Sequence, residues 1–134
     1  GTGAAGGLGF AFLSYTNAVL ESGVKIILEE TKLESFIKNA DFVITGEGRL
    51  DGQTVMGKAP IGVAEIAKKY EKKVLAFGGC VAEDATLCNQ HGIDAFFPIL
   101  RTVTTLKEAM DFNHAKENLS AAVEQVFRLI QSFE

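Results

Sequence analysis

Three short runs of β-branched and aromatic residues limit what this chain can build: Phe42-Val43-Ile44-Thr45, Lys73 to Phe77, and Ala95-Phe96-Phe97-Pro98-Ile99. Each is too short for a helix and too uniformly apolar for a strand with one wet face. Each therefore reads as a strand buried on both sides. Stretches of helical period separate them. Pro60 opens one at the position where its missing N–H costs nothing, and Ile61 to Tyr70 continues it. Asp84 to His91 forms the next, stopped by Gly92. Strand, helix, strand, helix, strand in that order implies a parallel sheet with right-handed crossovers and helices packed on it. The fold class expected is α/β: three layers, with a short parallel sheet flanked by helices.

The flanks are helical as well. Leu8, Ala11, Phe12, Tyr15 and Val19 recur at helical spacing, and Gly23 reads as the stop. Val24 to Glu30 reads as helix. Leu33, Phe36, Ile37 and Ala40 mark a short helix, and Thr105 to Met110 starts another. The last helix is the clearest, with Ala115, Leu119, Ala122, Val123, Val126, Phe127 and Ile130 on one face and Asp111 or Asn113 as its cap. Three strands alone would leave two open edges. The chain also begins on glycines, without Met and without a strand to hold the first loop. Residues 1–134 are expected to be one domain, cut from a longer protein.

The 134 residues are 47% apolar, enough for a real core, and 22% charged, with a formal net charge of −4. Nucleic-acid binding wants a basic face, and this balance offers none. No stretch is long and apolar enough to cross a membrane, and no leader pattern is visible. Cys80 and Cys88 lack metal-binding spacing and read as reduced, mostly buried thiols, which puts the chain in the cytoplasm. His91 and His114 read as structural, Phe96-Phe97 as core, and Lys68, Lys69, Lys72 and Lys73 as a solvated helix end.

Ligands of open α/β sheets sit beyond the carboxyl ends of the strands. Two glycine-bearing segments fall there: Gly46 to Lys58 after the first strand, and Gly78-Gly79-Cys80 after the second. The first is dense in chemistry. Glu47 and Asp51 are carboxylates suited to Mg²⁺ or to taking a hydroxyl proton. Arg49 offers a bidentate fork to a carboxylate or phosphate. Thr45 and Thr54 supply hydroxyls. Gly46, Gly48, Gly52 and Gly57 admit close backbone approach. Lys58 precedes a helix start, where cation and dipole both favour an anion. Any one of these residues alone would pass as an ordinary turn or surface ion pair. Their concentration at one strand end is what points to a site. Two motif matches are set aside. Gly52-x-x-x-x-Gly57-Lys58 lacks the Ser or Thr after Lys58 that a phosphate-binding P-loop uses for its metal, and the first strand ends six residues too early. Gly1-x-Gly3-x-x-Gly6 has no strand before it and no ribose-binding acid in place after it. Those opening glycines read as tight helix packing or as an anion-binding helix start.

Gly3-Ala4-Ala5-Gly6-Gly7-Leu8-Gly9, Ile44 through Thr54, and Gly57-Lys58-Ala59-Pro60 together resemble the bacterial glycerate kinase family. The ten-residue run Thr45-Gly46-Glu47-Gly48-Arg49-Leu50-Asp51-Gly52-Gln53-Thr54 is the specific part. The resemblance covers essentially the whole chain and implies phosphorylation of D-glycerate by ATP with Mg²⁺. It also implies that the chain is the C-terminal part of a larger two-domain α/β enzyme, with an N-terminal part of the same protein as partner, and leaves room for a homo-oligomer. Carried onto this sequence, it implies a phosphotransfer loop of Thr45 through Thr54, with Lys58 and the Gly3, Gly6 and Gly7 turn beside it. Chemical reasoning then gives Asp51 the hydroxyl proton or the metal, and Glu47 the metal or its waters. Arg49 takes a carboxylate or the moving phosphate, and Lys58 takes a phosphate. The competing expectation is a non-catalytic α/β module that holds a small carboxylate or phosphate ligand.

Overall fold

The computed structural model describes residues 3–133. Its centre is a parallel sheet in the order β1-β2-β3, with β1 at Phe42–Leu50, β2 at Lys73–Val81 and β3 at Ala95–Pro98. Paired residues run from Phe42 opposite Lys73 to Leu50 opposite Val81, and from Leu75 opposite Ala95 to Gly78 opposite Pro98. Seven helices surround it among the described residues: α1 Ala4–Tyr15, α2 Gly23–Glu30, α3 Leu33–Ile37, α4 Ala59–Lys69, α5 Leu87–Gln90, α6 Leu106–Ala109 and α7 Phe112–Gln131. The expected α/β fold with a short parallel sheet between helices is the one observed.

The core lies between the sheet and α4. Val43 of β1 and Val74 and Ala76 of β2 face Ile61, Ala64 and Ala67 of α4, and Ala85, Cys88 and Ile93 close the cluster. Small residues on α4 let it lie close to the sheet. A second packing step adds α2 behind α4, so close at Gly62 that a Cβ there would come within 2.8 Å of Val24. On the opposite face, Phe77 stacks on Phe97 with ring centroids 5.6 Å apart, and Phe127 of α7 meets Phe42 edge-on at 6.0 Å.

Both long strands run further than the sequence suggested. β1 continues through Gly46 and Gly48 to Leu50, and β2 continues through Gly78 and Gly79 to Val81. Glycine usually weakens a strand, so these positions read as loops. Here they allow backbone to approach backbone. A Cβ on Gly46 would drive into the carbonyl oxygen of Phe77, and one on Gly79 would lie 2.7 Å from that of Gly48. The helix ends also shift. Gly23 starts α2 instead of stopping α1, with Ser22 before it as the extended N-cap residue. Thr105 and Glu108 form a reciprocal capping box on α6, and Asp111 caps α7 through the N–H groups of Asn113 and His114.

Asp94 ties three elements together at the amino end of the sheet. It accepts from the Val74 N–H at 2.7 Å and from Lys68 Nζ at 2.5 Å, and Lys73 Nζ stands 3.7 Å away. Two of the lysines read as a solvated patch are thus structural partners. Burial alone would push the Asp94 carboxyl up, but Lys68, the Val74 N–H and Lys73 together hold it below its ordinary value. A depressed carboxyl contributes stability that is present above the unfolded value of about 3.9 and is lost as pH falls through the folded one.

Two glycines one residue apart give the sharpest test of this packing. Gly46→Ala should cost about 1–3 kcal/mol in chemical unfolding. Gly48→Ala should be nearly neutral, because nothing lies within 4 Å of its Cβ position. Equal effects at the two sites would show that strand contact at Gly46 is not what the glycine is for.

Candidate functional site

The last third of β1, the turn after it and the first residue before α4 bring the polar residues together. Glu47 and Arg49 lie in β1, Asp51 and Gly52 in the turn, Thr54 opens a 3-10 turn over Thr54–Met56, and Lys58 is the extended N-cap of α4. Gly57 joins the last two at φ +90°, a backbone conformation that side chains with a Cβ rarely adopt. Beneath the turn, Leu50 is fully buried, and Ala85 and Cys88 of the following crossover support it.

Thr54 is the hub. It is the buried polar residue among those described, at 0% exposure. Its hydroxyl has one proton, and Glu47 Oε1 at 2.5 Å takes it in preference to Asp51 Oδ1 at 3.4 Å. The same oxygen accepts the Asp51 N–H at 3.1 Å, and the Thr54 N–H returns to the Asp51 carbonyl at 2.9 Å. Asp51 Oδ1 also accepts the Gln53 N–H at 3.0 Å, an Asx turn that sets the carboxylate's direction. The cations close the ring. Lys58 Nζ lies 3.3 Å from Asp51 Oδ1 and 4.0 Å from Glu47 Oε2, and Arg49 Nε lies 3.3 Å from Asp51 Oδ2. Two carboxylates face two cations, so the formal charges cancel. The carboxylates are mostly covered, at 20% and 17% side-chain exposure, while Arg49 is 64% exposed.

Burial would raise the Asp51 carboxyl. The Lys58 hydrogen bond and charge, the Gln53 N–H and the Arg49 charge outweigh it and hold the group below its ordinary value. Cys88 responds in the other direction: burial first, then the negative charges of Glu47, Asp51 and Asp84, push its thiol up. That makes Cys88 an unreactive packing residue beneath the site. Cys80, expected to be mostly buried, is exposed on β2 opposite Arg49.

The structure therefore brings Glu47, Arg49, Asp51, Thr54 and Lys58 together, as the sequence suggested. It does not do so for every candidate. Thr45 sits in β1 opposite Ala76, upstream of the cluster. Gly46 is taken up by strand contact with Phe77. Gly3, Gly6 and Gly7 form a separate turn at the start of α1, with φ of +67° at Gly6 and +95° at Gly7. No hydrogen bond or ion pair among the described residues links that turn to the cluster, and nothing lies within 4 Å of the Cβ positions of its glycines. Gly1 lies outside the described residues.

Asp84 is a residue that sequence reasoning passed over. Its Oδ2 stands 2.5 Å from where a Cβ on Gly52 would be, so Gly52 gives room to a third carboxylate at the turn. Its only sequence signal was its place in the crossover after β2. The motif match at Gly52 to Lys58 also changes. β1 reaches Leu50, so the segment does join a strand to a helix. It still departs from a P-loop in Ala59, and in Lys58, which precedes the helix and turns back onto Asp51.

A parallel α/β sheet with a carboxylate and cation cluster at the carboxyl end of one strand defines an open α/β protein with polar groups placed where ligands of such sheets bind. The comparisons with known proteins narrow this. The model of the Glycerate kinase family matches residues 1–131, and the chain belongs to that family. A glycerate kinase of Bacillus subtilis (strain 168) is 46% identical over 126 residues, 94% of this chain and 32% of that protein. A glycerate 2-kinase of Escherichia coli (strain K12) is 46% identical over 122 residues, 91% of this chain and 32% of that protein. The crystal structure of a candidate glycerate kinase 2 from Salmonella typhimurium LT2 superposes with a TM-score of 0.72 at 39% identity, covering 98% of this chain and 32% of that one. The chain thus spans about a third of the length of these relatives, and the matched part is their C-terminal part.

Two outcomes test the cluster. Thr54→Val should cost about 1–3 kcal/mol, because it leaves the Asp51 N–H and the Glu47 carboxylate without their shared partner; Thr54→Ser should recover most of it. Lys58→Met should raise the Asp51 pKa, read by carboxyl ¹³C titration. An Asp51 pKa that does not move would show that the ion pair does not hold in solution.

Proposed function

We propose that this chain is the C-terminal part of a cytoplasmic glycerate kinase, and that Glu47, Arg49, Asp51 and Lys58 handle the phosphate and the hydroxyl during transfer from ATP to D-glycerate. The observation that carries the reading is the pairing of cations with carboxylates in the cluster. Each cation is held by a carboxylate at one strand end, and each can be handed to an incoming anion. Family membership and the names of the relatives support glycerate and ATP as the substrates. The name of the Escherichia coli relative favours the 2-hydroxyl as acceptor. The remaining two thirds of the polypeptide would complete the site.

Phosphoryl transfer asks a protein for position and charge more than for covalent chemistry. Arg49, exposed at the strand end, offers its planar fork to the glycerate carboxylate or to the moving phosphoryl group. Lys58, at the amino end of α4, offers a point charge to a phosphate where the helix dipole adds to it. The residues also fit Mg²⁺. It binds proteins through one or two carboxylates together with substrate phosphates, and Glu47 would supply one, which leaves Asp51 for the proton. These residues do not make a closed metal cage, for no group of three or more acidic, His or Cys residues gathers for one among those described. When bound with ATP, the ion would neutralise charge on the phosphate oxygens.

Asp51 is suited to the hydroxyl proton for a reason visible in its surroundings. Lys58 and Arg49 hold its pKa down, against burial that would raise it. A phosphate that draws Lys58 away removes the main restraint, and Asp51 becomes the stronger base at the moment the nucleotide is present. The glycerate oxygen then bonds to the γ-phosphorus, the bond from that phosphorus to the ADP oxygen breaks, and the hydroxyl proton passes to Asp51. Thr54 and the Gln53 N–H keep the carboxylate aimed.

In a family-length protein carrying this segment, Asp51→Asn should lower kcat by about 10²–10⁴, with circular dichroism unchanged and little effect on KM for ATP. Phosphorus NMR of the wild-type product should show 2-phosphoglycerate. An Asp51→Asn variant at wild-type rate removes Asp51 from the proton transfer.

A further inference from the structure

We infer that α1 is an interior helix of the complete protein, enclosed on several sides by the polypeptide that precedes this segment in its relatives. The inference rests on family membership, not on the chemistry of the phosphotransfer cluster.

The observation is a mismatch between composition and exposure. From Leu8 to Tyr15 the helix reads Leu-Gly-Phe-Ala-Phe-Leu-Ser-Tyr, with no charged residue. At about 100° per residue, Leu8 and Leu13 point about 140° apart, and Phe10 and Phe12 about 160° apart. The large apolar side chains thus leave the helix on opposite sides, and no charged residue fills the remaining sector. A helix apolar all round belongs inside a protein. Here Leu8 is 52% exposed, Phe10 62%, Phe12 50%, Leu13 40% and Tyr15 86%. The other long helix, α7, behaves as a surface helix should. It carries Lys116, Glu117, Glu124 and Arg128 on its wet side and turns Phe127 onto the sheet.

Three occupants could cover such a helix. A membrane-spanning role is excluded by length, since twelve residues do not span one and no described helix is long and apolar enough. A second copy of this chain would cover one side of α1 across a twofold axis and leave the opposite phenylalanine in water. Polypeptide from the same protein can surround it. The page supplies that polypeptide: the relatives carry about two thirds of their length outside the matched region, and the Salmonella chain keeps this same fold inside a chain three times as long. The open outer edge of β1, where Ile44 is 48% exposed, is available to the same partner.

The test joins this chain to the unmatched N-terminal portion of the Bacillus subtilis relative as one polypeptide. Amide hydrogen exchange in α1 is then compared between that protein and the 134-residue chain alone. Amides of residues 8–15 should exchange about 100-fold more slowly, or slower still, in the long protein. Phe10→Asp should abolish that protection in the long protein while the exchange of β1 and β2 amides stays unchanged. Equal exchange of α1 in the two proteins overturns the inference. So does protection in the short chain that rises with concentration alongside a dimer mass, which would assign the helix to a second copy. Glycerate phosphorylation is read separately: protected α1 without phosphate transfer speaks against the kinase reading alone, and transfer with unprotected α1 speaks against this inference alone.

Discussion

The hydroxyl of Thr54 is the contact on which the site depends. It sits at the junction of strand, turn and helix, fully buried, and joins the Glu47 carboxylate to the backbone of Asp51. Without it, two acidic residues would be drawn toward water and the turn from β1 into α4 would lose its internal reference. With it, Asp51 is presented to Lys58 on one side and Arg49 on the other. A buried polar group with all its bonds made is rigid, because each alternative leaves a donor or acceptor unpaired. The exposed member, Arg49, extends from a strand paired on the turn's inner side.

The fold supplies this junction by bringing backbones unusually close. Gly46 and Gly79 let β1 and β2 stay paired beyond the point where side chains would force them apart, which carries Glu47 and Arg49 out to the sheet's edge in strand geometry. Side chains on a paired strand have fixed directions, so the functional groups inherit the order of the sheet. The glycines therefore serve the site by way of the scaffold. Gly52 does something different and leaves space for the Asp84 carboxylate.

The sequence showed the alternation of strands and helices, the proline start of α4 and the capped terminal helix, because each rests on a local pattern. It showed the cluster too, since Glu47, Arg49, Asp51, Thr54 and Lys58 lie within twelve consecutive residues. It hid what depends on contacts across the chain. Gly46, Gly78 and Gly79 looked like loop because their reason for being glycine is the neighbouring strand. Lys68 and Lys73 looked solvated because Asp94, their partner, is more than twenty residues away in sequence. Asp84 was invisible for the same reason. The pairing of the Gly3–Gly7 turn with the site came only from resemblance, and the geometry of the described residues does not join them.

In the proposed function the cluster is a resting arrangement whose cations and carboxylates change partners. The most direct measurement is a crystal structure of a family-length protein carrying this segment, with Mg²⁺, a non-hydrolysable ATP analogue and D-glycerate. The account predicts that Lys58 leaves Asp51 for a phosphate oxygen and that Arg49 turns to an anionic group of substrate or nucleotide, while Thr54 keeps its bonds to Glu47 and Asp51. Substrates bound elsewhere, with the Lys58–Asp51 and Arg49–Asp51 pairs intact, would contradict it.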